Sequence, residues 1–261
     1  MRIKQNLYTW LLKPTFGIGF IFVLFSSLIN LYNNKGLVTA ILSKPLKTTN
    51  KNYTSSDDKN NAYWARKIME GGYILHFRHA ERDKWIDVTM YDALESDVHA
   101  NGKNESRYAE EDYFKEAVCL NKRGLIQAKA MGEHFVNIGF PVGYVVSSPS
   151  CRSRQTANLA FGGYKSLDRV LVHDGPYKEL RSERADNLKK YYLNLPIDKT
   201  KNTIVSAHNS VIRSSMLANN NDPKLDLEEG GFYVISKRNG KLYLEHEFHY
   251  FNDFIKNFYI R

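Results

Sequence analysis

Short apolar runs, each leading into a small residue and a basic side chain in one order or the other, recur three times in this 261-residue chain. The first is YILHF at 73–77, which ends in Arg78-His79. The second opens the stretch VVSSPSCRSRQTANLAF at 145–161, and the third opens TIVSAHNSVIR at 203–213. Runs this short, bounded by turn residues, read as buried strands. Strands are expected over 72–77, 142–146, 170–173 and 203–206. Helical periodicity predicts helices over 62–70, stopped by Gly71-Gly72, and over 120–138, closed by Gly139. Further helices are expected over 152–161, 185–193 and 210–218. Segments 231–236 and 241–247 flank Asn239-Gly240, a two-residue hairpin signal. Strands alternating with helices argue for an α/β three-layer sandwich with a mostly parallel sheet. No internal repeat is visible.

The N-terminal pattern is different. Residues 1–13 form a basic tail with Arg2, Lys4 and Lys13 and no acid. FGIGFIFVLFSSLINLY at 16–32 is nearly unbroken apolar sequence, and with Trp10, Leu11 and Leu12 it approaches the roughly 20 residues a membrane span needs. Trp10 and Tyr32 stand where interfacial aromatics belong. The rivals are a buried core helix and a cleaved signal peptide. For the latter, Ser26-Ser27-Leu28 lies inside the apolar stretch and Val38-Thr39-Ala40 comes late. An uncleaved signal anchor over 14–33 is the preferred reading. It places the remainder on the exported side, although Lys35, Lys44, Lys47 and Lys51 leave the charge bias across the span nearly even. Residues 34–60 read as a polar linker and 61–261 as the globular domain. Within it, 82–119 is a long acidic-leaning excursion, the kind of loop that covers or selects a substrate.

Composition adds a sign. The formal net charge of +9 favours anionic partners: phosphate esters or acidic membrane surfaces. No basic stripe interleaved with aromatics supports nucleic acid binding. Cys119 and Cys151 are the two cysteines, enough for one bridge in an oxidising compartment. Cys151 sits in SSPSCR without the glycine-rich loop a thiol phosphatase needs, so it is not read as a nucleophile.

The three strand ends bring Arg or His to what, in an open α/β sheet, is the ligand edge. His76, three residues before His79, falls on the opposite face of the strand and reads as structural. Arg152 in the first turn of its helix opposes the helix dipole, which points to an anion bound there. Arg154 reads as a surface residue. His134, His246 and His249 show no partner spacing.

In Arg78-His79 with a small residue after it, in Ser147-Ser148-Pro149 with Arg152, Gln155, Thr156 and Ala157, and in His208 after its strand, the chain resembles the histidine phosphatase superfamily over about 71–234. The resemblance implies the phosphoglycerate mutase-like fold and a cofactor-free, metal-free site. It makes His79 the nucleophile that forms a phosphohistidine, with Arg78, Arg152 and His208 binding the phosphoryl oxygens. A leaving oxygen needs a proton, hence a nearby carboxyl. In one branch of the family this is a Glu at the place of Glu179, although the glycines that often follow are absent. In another it is an Asp directly after the second His, where this chain has Asn209. Glu81 and Asp83 are further candidates. Ala80 replaces the usual glycine, which matters only if the backbone there has positive φ.

The expected function is a membrane-anchored phosphomonoesterase acting on a phosphorylated small molecule, glycan or lipid. A phosphoglycerate mutase-like phosphotransferase and a phosphate-binding protein without turnover are the alternatives.

Overall fold

In the computed structural model the described residues are 55–83, 119–172, 181–219 and 225–258. The 14–33 segment, most of the 82–119 excursion, His173 and Glu179 lie outside them. Among the described residues no helix is long and apolar enough to cross a membrane.

The elements follow the chain as α1 (Ser55–Lys67), β1 (Ile74–Arg78), α2 (Lys122–Asn137), β2 (Val142–Ser147), α3 (Cys151–Phe161) and β3 (Ser166–Leu167). Then come α4 (Arg181–Asn194), β4 (Asn202–Ala207), β5 (Phe232–Arg238), β6 (Lys241–Phe248) and α5 (Phe251–Phe258). Helix α1 opens inside the stretch read as linker. The six strands form one sheet in the order β3-β2-β4-β1-β5-β6. β3, β2, β4 and β1 run parallel, and β5 and β6 join antiparallel, so the sheet is mixed. The β5–β6 hairpin turns through Asn239 and Gly240, with φ of 49° and 67°. Asn-Gly tolerates that pair of left-handed conformations, which is why it marks such a turn.

Alternate residues of the strands feed two cores. Leu75, Phe77, Val145, Ile204, Phe232 and Val234 face a cluster completed by residues of α1, α2, α3 and α5. Ile74, Val146, Val205, Tyr233 and Ile235 face a second cluster with Leu188 and Tyr192 of α4 and the turns after β4. Helices therefore lie on both faces.

Two expected elements are corrected. Residues 170–173 were expected as a strand, but a 3-10 turn occupies Arg169–Leu171. The Asp168 side chain accepts the Val170 N–H at 3.0 Å and starts that turn. The helix expected over 210–218 is replaced by two 3-10 turns, Asn209–Val211 and Ser214–Met216, separated by extended Ile212 and Arg213. The β-branched pair Val211-Ile212 and the serines around it disfavour a continuous helix. Burial of Val211, Ile212, Met216 and Leu217 against the second core sets the path instead.

Candidate active site

The parallel register puts the chemistry on one edge. Arg78 lies opposite Ala207, and Ser147 opposite Ser206. The next residue on each strand is then His79, His208 or Ser148. The His79 N–H donates to the Ala207 carbonyl at 3.0 Å, and the Ser148 N–H to that of Ser206 at 2.9 Å. The ladder thus continues one residue past the strands and locks these positions side by side.

His79 and His208 are 4% and 3% exposed, and their rings meet edge to face with centroids 5.4 Å apart. The Ala80 carbonyl accepts from His79 Nδ1 at 2.8 Å, which places the proton on Nδ1 and the lone pair on Nε2. Burial pushes the His79 pKa well below its usual value; Arg152 lowers it further, with Arg78 and Arg82 adding to the effect. The imidazole is therefore neutral at physiological pH.

Helix α3 supplies Arg152, only 1% exposed. Its guanidinium donates to His208 Nδ1 at 3.3 Å, so the His208 proton sits on Nε2, which donates to Ser148 Oγ at 3.1 Å. Thr156 Oγ1 donates to the Arg152 carbonyl and accepts the Ala80 N–H at 3.0 Å, fastening α3 to the residue after His79. Gln155 accepts the Leu120 N–H at 2.8 Å. Ala80 is fully buried, and among the described residues Asn239 alone of the non-glycines has positive φ. Alanine therefore fits where glycine is usual. Gly124 of α2 has the opposite requirement: a Cβ there would stand 1.9 Å from the Glu81 carbonyl oxygen.

Arg78 donates to the Leu227 carbonyl and lies 3.9 Å from Glu229. The guanidinium has five N–H donors, more than these partners use. Asn209 joins the same segment, donating to Asp226 at 2.6 Å and accepting the Leu227 N–H at 2.7 Å. The Gly230 N–H reaches the carbonyls of Arg78 and His79. Segment 226–230 is thus stitched to the ends of both β1 and β4. Sequence reasoning missed this wall, and it missed Arg82, whose charge bears on His79. The one signal for Arg82 was its place three residues after the histidine.

The other expected residues distribute as follows. Glu81 accepts from Asn121 at 3.2 Å and pairs with Arg123, and Asp83 accepts from Asn121 at 3.1 Å. Glu179 lies outside the described residues. Cys119 and Cys151 form a disulfide, so neither offers a thiol. Arg154 is half-buried and donates back to the Pro149 carbonyl. His76 lies on the opposite face from His79, as its spacing requires, and is fully buried. His134 packs among Phe135, Phe251, Phe254 and Phe258. His246 stacks on Trp64, and His249 pairs with Glu247. Among the described residues no group of three or more His, Cys, Asp or Glu is placed to hold a metal ion.

Residues 78–174 match the histidine phosphatase superfamily (branch 1). The family resemblance carried by the motifs is thereby shown. The matched stretch contains Arg78, His79 and Arg152 and ends before His208. Similar solved structures include the protein histidine phosphatase SixA complexed with tungstate, 11% identical over 67% of this chain and 95% of that one, TM-score 0.44. A phosphoserine phosphatase from Entamoeba histolytica in complex with 3-phosphoglyceric acid is 14% identical over 67% and 95%, TM-score 0.45. The TTHB049 protein of Thermus thermophilus is 15% identical over 67% and 98%, TM-score 0.41. No curated protein matches the chain.

Proposed function

We propose that the protein is a phosphomonoesterase that works through a phosphohistidine on His79. The observation that carries this is the pairing of a neutral, Nδ1-protonated His79 with His208 and a buried Arg152 at one sheet edge. Nε2 of His79 attacks phosphorus, the ester oxygen leaves with a proton, and water then releases inorganic phosphate and restores the imidazole. Arg152, Arg78 and His208 hold the phosphoryl oxygens, since phosphoryl transfer depends mainly on positioning and charge stabilisation. The proton comes from a carboxyl, for which we take Glu179; Glu81 and Asp83 are already engaged by Asn121 and Arg123.

The substrate is a phosphorylated small molecule, glycan or lipid reached from a membrane. The apolar 14–33 segment anchors the chain and the domain lies on the exported side. The Cys119–Cys151 disulfide supports that side, because such bridges persist in oxidising compartments. Hydrolysis of an aryl phosphate by the full-length protein tests the activity. Turnover with inorganic phosphate released, lost by about 10³-fold or more in His79→Ala, is the expected result. Transfer of the phosphoryl group to an added alcohol without phosphate release would indicate a mutase. An intact aryl phosphate would indicate a binding protein.

A further inference from the structure

We propose that Tyr192 and His76 are positioning residues for His208, a buried pair that holds the end of β4 so that the His208 ring faces His79. The inference rests on the role given to His208 in the proposed reaction. After β4 the chain enters only a short 3-10 turn, Asn209–Val211. One such turn is a weak anchor compared with the α-helix α3 that carries Arg152. Asn209 ties the following residue to segment 226–230, and the His208 carbonyl itself is held from the second face.

His76 is the residue that holds it. It projects from β1 onto the second face, where its strand neighbour on β4 is Val205. His76 Nε2 lies 3.0 Å from the His208 carbonyl oxygen, which also accepts the Val211 N–H at 3.3 Å. A carbonyl only accepts, so Nε2 carries the proton and Nδ1 carries the lone pair. That nitrogen lies 2.6 Å from Tyr192 Oη, which therefore donates to it. Both ring nitrogens are engaged, and the phenol of α4 fixes the tautomer that the His208 carbonyl requires. Tyr233 stacks on the same imidazole, centroids 6.0 Å apart and planes within 20°. Burial lowers the His76 pKa to about 4 and raises that of Tyr192, so both stay neutral and the bonding pattern holds at physiological pH. His208 is thus held at its backbone from the second face and at its ring by Arg152 and Ser148.

The rival explanation is that His76 and Tyr192 merely satisfy each other in the core. Four variants of the full-length protein separate the two: Tyr192→Phe, His76→Leu, the double variant, and the conservative His76→Gln. Each single apolar change leaves a buried partner unsatisfied and lowers stability; the double variant removes both partners and regains much of it. Positioning predicts that the regained stability brings no activity with it. In the double variant kcat on an aryl phosphate stays about 10- to 100-fold down while KM moves little. The imidazole 15N resonances of His208 change from a single Nε2–H tautomer to a mixture. His76→Gln, which keeps an N–H for the carbonyl and an oxygen for the phenol, retains most of kcat. A double variant with both wild-type kcat and unchanged His208 resonances overturns the proposal. If the wild-type protein cleaves no aryl phosphate, the proposed function fails, and the His208 resonances alone decide positioning: changed supports it, unchanged overturns it.

Discussion

The two faces of the sheet are built from different materials. On one, Phe77, Phe135, Phe232, Phe248 and Phe254 pack ring against ring, with Phe77 and Phe232 centroids 4.4 Å apart. On the other, the apolar cluster admits Tyr192 and Tyr233 around a buried His76 directly beneath the site. The contrast runs through β1 itself: Phe77 faces one core and His76 the other. Aromatic packing gives stability without chemistry. A satisfied polar pair gives alignment and little net stability. Holding the fold and holding His208 are tasks of adjacent residues on one strand.

That division can be broken experimentally. Phe254→Ala, at a fully buried position, should cost about 3–5 kcal/mol in chemical denaturation and leave kcat unchanged in the folded fraction. A large drop in kcat at full folding would mean the aromatic face also tunes the site. Replacing both cysteines by serine should cost about 3–4 kcal/mol on the chain-entropy view of a bridge with a sequence separation of 32. That loss should also loosen the Leu120–Gln155 contact beside Arg152. Stability equal to wild type would show that the bridge is dispensable.

A further test concerns pH. His76 beneath the site and His246 beside the phenylalanine face both have pKa values lowered to about 4 from 6.5, by burial in each case. An unfolded histidine takes up its proton near 6.5, while these two resist until about 4. The unfolded state therefore binds more protons in that window, and stability should fall as pH drops from 6.5 toward 4. Urea midpoints measured against pH check this, and replacing either histidine with glutamine should reduce the slope. A flat profile in the wild-type protein would contradict the neutral state of both.

Much of this was legible in the sequence where a residue type has one structural meaning. Asn239-Gly240 announced its hairpin because few other pairs accept two left-handed conformations. The runs before His79, Ser148 and His208 announced buried strands, and the parallel register then brought Arg78, His79, Arg152 and His208 to one edge. What stayed hidden depends on contacts distant in sequence. His76 and Tyr192 are 116 residues apart, so no local spacing could pair them. Asn209 was visible only as an asparagine where an acid was sought. Its bonds to Asp226 and Leu227 emerge when the turn after β4 meets segment 226–230. The helix expected at 210–218 failed for a related reason: the apolar side chains that suggested it are drawn into the second core.

The most direct test of the account is to trap the covalent intermediate. Full-length protein would be mixed with a 32P-labelled phosphate ester, quenched within the first turnover, and examined for protein-bound label. Label that is acid-labile and alkali-stable, confined to the peptide containing His79 and absent from His79→Ala, is the predicted result. Phosphate release with no such label, or label that persists in His79→Ala, would contradict it.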